Sequence, residues 1–508
     1  MIAPKLFRTA FACLSEALLG QCVTRAACGI RFHMRFRALF LSVCLTALAL
    51  SVCSAQPRNP ATTPPMGWNS WDAYGLTIGE ADYKANTEVL AGVRQYGWLY
   101  SVIDEGWYME NPFGATLQEK NYVWDANGIL IPAASRFPSS ANGQGFKPLA
   151  DFVHSKGLKF GIHIVRGIPR QVVKENLPIA GSSFHASDAA DRNAPCPWDE
   201  GNYGVADNAA GQAYYDSMLK LYAGWGLDYI KVDCIGDHPY RPTEIRQIAE
   251  AIQKTGRPIV LSLSPGPTAL EHATEVAKYA QMWRISDDHW DAWLFPHKPG
   301  EGEFPFGIRD AFDRLAKWAP YVKPGNWPDE DMLPWGSLTP HPGWGDPRQS
   351  RETKDEQQTE FVLWAISRSP LILGANLTKL DDFTRSLIGN RDVLEMNQNA
   401  QRSGPVTDLP EGLENVRVWQ AEIGGSTVPA SSQAKFFSFS NLDDKPINLR
   451  ISWKALGLKG SHAAHNLFDG TELKKSDSIE FALPPHGSTI YRVSDHKFEY
   501  IGEPETAH

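Results

Sequence analysis

The stretch Leu227 to Asp237, L-D-Y-I-K-V-D-C-I-G-D, runs through the apolar positions Tyr229, Ile230 and Val232 and then presents Lys231, Asp233 and Cys234 as a polar loop begins. A carboxylate is costly to bury there, so Asp233 is better placed for chemistry than for packing, although it could also cap the next helix or pair with Lys231. Other expected strand ends carry Trp71 and Asp72, Asp104 and Glu105, His163 and Arg166, Arg284 with Asp287 and Asp288, and Asp329 to Asp331. Such a concentration of charge at the mouth of an apolar sheet marks a reacting centre.

Two carboxylates flanking one bond are what glycoside hydrolysis needs: one attacks the anomeric carbon, and the other protonates the leaving oxygen. Asp233 suits the nucleophile, because Lys231, two residues earlier, points to the same side of the strand and would keep it ionised. Asp288 suits the acid. Trp283, His289, Trp290 and Trp293 lie close in sequence, and apolar surroundings raise a carboxyl pKa toward about 6. Asp287 is its local rival, since strand alternation cannot separate the two once the chain has turned.

The elements that must position these groups alternate. Strands are expected at Met66 to Trp71, Tyr100 to Trp107, Phe160 to Val165, Tyr229 to Cys234, Ile259 to Pro265, Met282 to Asp288, a stretch ending near Asp331 to Leu333, and Leu371 to Leu377. Helices are expected at Glu80 to Gln95, Phe146 to Ser155, Ala210 to Ala223, Pro242 to Lys254, Ala269 to Ala280 and Glu356 to Ile366. Eight such units predict a (β/α)8 TIM barrel, with active groups at the C-terminal ends of its strands. Gly167 to Asn208 and His289 to Asn326 read as long structureless loops walling a cleft there. After about Gln401, short alternating segments broken by Gly, Asn and Pro predict an antiparallel β-sandwich, followed by a loose polar tail. The expected divisions are 1–55 leader, 56–400 barrel, 401–495 sandwich and 496–508 tail.

The 508 residues suffice for both domains, and a net charge of -9 without clustered cations argues against a nucleic-acid partner. Seventeen Trp and sixteen Tyr are a weak pointer to carbohydrate, whose clefts use flat aromatic faces. Residues 34 to 56 have Arg35 and Arg37 before an apolar run and then small residues, the pattern of a signal peptide starting at Met34. That run is too short for a stable membrane span. The expected location is therefore secreted or periplasmic, with lipid anchoring at Cys53 disfavoured by Val52 before it. Five cysteines lie in the leader. Cys196 and Cys234 remain, suiting either one disulfide or two buried thiols. The fourteen His show no paired ligand spacing at a strand end, so no metal and no cofactor is expected.

Several motifs, in order, resemble those of glycoside hydrolase family 27, the retaining α-galactosidases (melibiases) and their relatives. They are T-P-P-M-G-W-N-S-W at 63 to 71, I-D-E-G-W at 103 to 107, F-V-H-S-K-G-L-K-F-G-I at 152 to 162, K-V-D-C at 231 to 234, W-R-I-S-D-D at 283 to 288, W-P-D-E-D-M-L at 327 to 333, and L-W-A-I-S-R-S-P-L-I-L-G-A-N-L at 363 to 377. The resemblance implies a (β/α)8 barrel with a C-terminal β-sandwich, Asp233 as nucleophile and Asp288, rather than Asp287, as acid/base. It implies substrate contacts from Trp71, Asp104, Glu105, His163, Lys231, Arg284 and Asp331, and a disulfide near Cys196 and Cys234. The chain departs from the pattern where Glu105 replaces a second Asp, His163 replaces a Tyr, Cys234 directly follows the nucleophile, and L-S-L-S-P-G-P at 261 to 267 replaces the segment that reads the 2-position. The expected activity is α-galactoside hydrolysis on an oligosaccharide or polysaccharide. The alternatives are an isomalto-dextranase, an α-N-acetylgalactosaminidase, a β-L-arabinopyranosidase or a non-catalytic carbohydrate-binding protein.

Overall fold

The structure, a computed structural model, describes residues 60–112, 121–199, 201–296, 304–338, 346–494 and 496–501. The leader, the signal peptide and Cys53 lie outside them. Eight short parallel strands form one sheet: β1 (Met66–Asn69), β2 (Tyr100–Ile103), β3 (Lys159–Val165), β4 (Tyr229–Asp233), β5 (Val260–Leu263), β6 (Met282–Arg284), β7 (Trp327–Asp329) and β8 (Leu371–Leu373). Their order is β7-β6-β5-β4-β3-β2-β1-β8. The open edges meet just beyond β7, where Leu333 N–H donates to the Ile372 carbonyl at 2.8 Å and Gly374 N–H donates to the Leu333 carbonyl at 3.0 Å. The sheet thus curls into a barrel. Most strand residues are buried on both faces, which is why the strands read as apolar runs broken only where a polar side chain points inward.

The strand Lys159–Val165 ends where the sequence predicts and Tyr229–Asp233 one residue earlier, whereas the others end before the expected point, because their polar ends have already left the ladder to form the rim. The helices follow their local signals. Ala209–Trp225 starts at Asn208, whose side chain accepts from Gly211 N–H, and stops at Gly226, whose φ of 100° needs no Cβ. Lys354–Ser367 begins with a reciprocal Thr353/Glu356 capping box.

Three expectations for the barrel need correction. The segment from Gly167 to Asn208 is not structureless: it holds helices Arg170–Glu175 and Ala186–Ala189 and a small sheet of Ile168–Pro169, Asn202–Val205 and Ala190–Asp191. The second long loop contains the amphipathic helix Ile308–Trp318, which buries Ile308, Phe312, Leu315 and Trp318. The helix expected over Ala269 to Ala280 shrinks to a 3₁₀ turn at Leu270–His272 and one turn at Ala273–Val276, with the carbonyls of Ala277 and Ala280 accepting from the Asn326 amide instead.

From Arg402 onward the strands are antiparallel. Arg402–Pro405, Val416–Ile423, Ala434–Asn441, Ser488–Val493, His462–Asn466 and Glu472–Ser476 lie side by side in that order, and Ile447–Ser452 pairs with Ser478–Leu483. Val418, Phe437, Phe439, Ile451, Ile479 and Tyr491 share one apolar core, while Trp419, Ala421, Phe436 and Ile490 pack into the barrel's own cluster. The alternation along each strand splits these two sets. Residues 496–501 are tied down rather than loose: Phe498 meets Phe436 edge-on at 6.3 Å, and Ile501 N–H donates to Glu395 at 2.8 Å.

Candidate active site

A cavity of about 500 Å³ opens at the C-terminal ends of the barrel strands. Trp71, Asp104, Glu105, Lys231, Asp233 and Asp288 line it, together with Asp287 and Ser264. His163, Arg284 and Asp331 stand behind that wall, 1%, 2% and 4% exposed. His163 and Arg284 reach the cavity through the acids they touch, and Asp331 through Arg284.

Register explains the first half of the wall. In the parallel ladder His163 faces Lys231, Val165 faces Asp233, and Ile103 faces Ile162, so Asp104, His163 and Lys231 come from three neighbouring strands at one level. Lys231 Nζ pairs with Asp104 at 3.0 Å, and Asn69 donates to the same carboxylate oxygen at 2.7 Å. Lys231, expected to keep Asp233 ionised, contributes its charge to that end, but the direct contact comes from His163, whose Nε2 lies 3.3 Å from Asp233 Oδ2. Cys234 N–H donates to the other oxygen.

Charge follows from this wiring. Burial opposes ionisation of Asp233, yet its bond to His163 and the His163 and Lys231 charges outweigh burial, and the carboxyl sits below its ordinary pKa. Asp104 is likewise pushed up by burial and pulled further down by His163 and Lys231. His163 responds in the opposite sense: burial disfavours its cation, but Asp104 and Asp233 more than compensate, and its pKa rises. Glu105 has no such cation of its own. Burial and the charges of Asp199, Asp233 and Asp104, against some help from His163, drive its pKa up to about 8.

Across the cavity, β6 ends at Arg284, which is paired in register with Asp329. Its guanidinium donates to Asp288 at 3.2 Å and pairs with Asp331 at 2.8 Å. Asp331 also accepts from His289 N–H at 2.9 Å, and its backbone carbonyl accepts from Trp364 at 3.0 Å. Burial first, then Asp288 and Asp329, raise the Asp331 pKa against the pull of Arg284. The apolar surroundings expected around Asp288 do not assemble. Trp283 turns into the core beside Trp318, Trp290 lies under Arg348, and Trp293 stacks on His486 at 4.1 Å. The Asp288 side chain, 33% exposed, meets solvent and Arg284 instead.

Cys196 and Cys234 form a disulfide with Cα atoms 6.0 Å apart, fastening the excursion after β3 to the end of β4. Buried Arg166 ties the same junction, donating to the Cys234 and Ala194 carbonyls and pairing with Glu244 at 2.8 Å. That clamp brings Trp198 and Asp199 into the cavity wall, where Leu76, His238, Pro265, Phe304 and Met332 join them. Apart from Pro265, in the segment 261 to 267, the sequence did not single these residues out. The only signal for Trp198 is its place two residues beyond Cys196.

Asp72, expected at a strand end, is an acid whose full burial only the fold reveals. It is 1% exposed, and burial followed by the Asp331 charge raises its pKa well above the ordinary value. It fits because residue 374 is Gly: a Cβ there would stand 1.6 Å from Asp72 Oδ2.

A barrel whose strand ends place two carboxylates on one sugar-sized cavity defines a glycoside hydrolase. Residues 198–399 match the family model described as alpha galactosidase A. The chain is 41% identical, with a TM-score of 0.78, to the structure of a family 27 β-L-arabinopyranosidase from Geobacillus stearothermophilus, covering 86% of this chain and 97% of that one. A putative α-N-acetylgalactosaminidase from Bacillus halodurans is 38% identical with a TM-score of 0.71, covering 85% and 97%. Alpha-galactosidase A from Cellvibrio japonicus is 27% identical over 89% of this chain and 97% of its own length. The chain belongs to glycoside hydrolase family 27.

Proposed function

We propose that this enzyme is a retaining exo-glycosidase of terminal galacto-configured pyranosides, accepting α-D-galactosides and, by preference, β-L-arabinopyranosides. The observation that carries the reading is the presence of Asp233 and Asp288 on one cavity, each held by a different cation-bearing partner. Asp233, ionised by His163, attacks the anomeric carbon and forms a glycosyl-enzyme. Asp288 donates its proton to the leaving oxygen, and its carboxylate then takes a proton from the attacking water. Arg284 orients Asp288 and Asp331. Lys231 and Asp104 present a fixed donor and acceptor pair to ring hydroxyls, and Trp71 offers a face to the sugar.

The sugar preference rests on Glu105. β-L-Arabinopyranose is α-D-galactopyranose without its hydroxymethyl group, and Glu105, on the cavity wall, is one methylene longer than the Asp it replaces, leaving less room for a larger sugar. Its raised pKa also leaves a protonated carboxyl there at neutral pH, a donor as well as an acceptor. The 41% identity to an arabinopyranosidase agrees with this. Hydrolysis of the 4-nitrophenyl glycosides of β-L-arabinopyranose and α-D-galactopyranose by wild type and Glu105→Asp tests it. The ratio of kcat/KM should move toward galactose by roughly 10-fold or more, the worth of one methylene; an unchanged ratio refutes the assignment.

The natural substrate is proposed to be an oligosaccharide or polysaccharide, with 56–400 as the catalytic domain, 401–495 as an accessory β-sandwich, and export through the leader. The Cys196–Cys234 disulfide supports an oxidising destination, and no helix among the described residues is long and apolar enough to cross a membrane.

A further inference from the structure

Immediately behind the catalytic wall, His289, Glu352 and Glu360 bring a ring nitrogen and carboxylate oxygens within 4.8 Å of one another. All three are buried, at 3%, 7% and 0% exposure. They come from separate places: His289 follows Asp288 on the strand-end loop, Glu352 precedes the cap of helix Lys354–Ser367, and Glu360 lies in that helix's middle.

The surroundings leave Glu352 unsatisfied: neither of its oxygens has a hydrogen-bond partner, while His289 Nε2 and Glu360 Oε1 form an ion pair at 2.8 Å without hydrogen-bond geometry. The second Glu360 oxygen accepts from Trp335 Nε1. The basic groups close by are engaged elsewhere: Arg348 and Arg351 both hold Asp291, Arg314 holds Glu330, and His486 bridges Glu356 and Asp444. Two buried carboxylates facing each other without a donor demand positive charge between them. One shared proton would satisfy a single oxygen of each carboxyl and leave the second Glu352 oxygen bare. A divalent ion would use all four donors, and two carboxylates with neutral imidazole cancel its charge.

We propose that His289, Glu352 and Glu360 form a structural site for a divalent transition metal such as Zn²⁺ or Mn²⁺, with Glu352 bidentate. Imidazole with carboxylates is a donor set for such ions. The ion fastens the loop bearing Asp288 to the helix behind it, so its work is positional and no step of the hydrolysis passes through it.

Elemental analysis of the full-length protein, purified without chelator after growth with Zn²⁺ or Mn²⁺, should find about one ion per chain. Stripping with EDTA should lower Tm, and adding Zn²⁺ or Mn²⁺ alone should restore it. Glu352→Gln should reduce bound metal by at least about tenfold and abolish the metal-dependent rise in Tm. Absorption spectroscopy of the bound metal should find only nitrogen and oxygen ligands. Three results would overturn the site: wild type that neither holds metal nor gains Tm from it, metal retained undiminished by Glu352→Gln, or sulfur in the shell. If the pair instead shares one proton, the neutral Gln is at least as stable as wild type and wild type takes up no ion. Should Glu352→Gln fail to fold, the wild-type stripping and reloading experiment decides by itself.

Discussion

Replacing His163 with Gln removes the charge that holds Asp233 while keeping a side chain able to fill the space. The imidazole is 1% exposed and lies 3.3 Å from Asp233 Oδ2. A hydrogen bond to a charged group is worth about 1.5 to 3 kcal/mol, and each pKa unit is about 1.4 kcal/mol. Loss of the bond should therefore raise the Asp233 pKa by roughly 1 to 2 units. Asp233 must be ionised to attack, and its folded pKa is depressed, so the acidic limb of kcat/KM against pH should move upward by that amount. The assay is hydrolysis of a 4-nitrophenyl glycoside from pH 3 to 8 by wild type and His163→Gln, with circular dichroism and Tm confirming that the variant folds. Lys231→Met is the comparison, because its ammonium contacts Asp104; it should weaken substrate binding and shift the acidic limb less. A limb for folded His163→Gln that superimposes on wild type would refute the wiring.

Other outcomes follow from the same geometry. The stability difference between wild type and His163→Gln should be full below about pH 6.5, the ordinary His value, and should fade as pH rises through the elevated folded value; urea titrations across that window measure it. Asp288→Ala should lose about 10²- to 10⁴-fold in kcat/KM on alkyl glycosides and much less in kcat/KM on 4-nitrophenyl glycosides, whose leaving group needs no proton, while kcat on the latter falls because the glycosyl-enzyme has lost its base, and azide restores it. Asp233→Ala should abolish turnover on both substrates. Cys196→Ser should cost roughly 3 to 4 kcal/mol by the chain-entropy estimate for a closed loop of this length, and calorimetry should find the loss matched by dithiothreitol treatment of wild type.

The amino-acid order was enough to locate every barrel strand, because strands buried on both faces read as apolar runs whose first polar residues mark the rim. It was also enough to single out Asp233, since a carboxylate at the end of such a run has few structural excuses, and to narrow the second acid to Asp287 or Asp288, between which only the family resemblance chose. Within the long excursion after β3, by contrast, sheet pairs such as Ile168 with Tyr203 join residues far apart in sequence and carry no local period. Only folding could decide what stands beside each acid. His163 rather than Lys231 touches Asp233 because register between neighbouring strands sets which tips meet, and the tryptophans near Asp288 in sequence turned away to Trp318, Arg348 and His486. Trp198, Phe304 and Met332 reach the cavity, and His289, Glu352 and Glu360 meet behind it, through contacts between distant segments. Local spacing records periodicity and cost of burial; proximity across the barrel depends on strand stagger and loop path, which no single stretch contains.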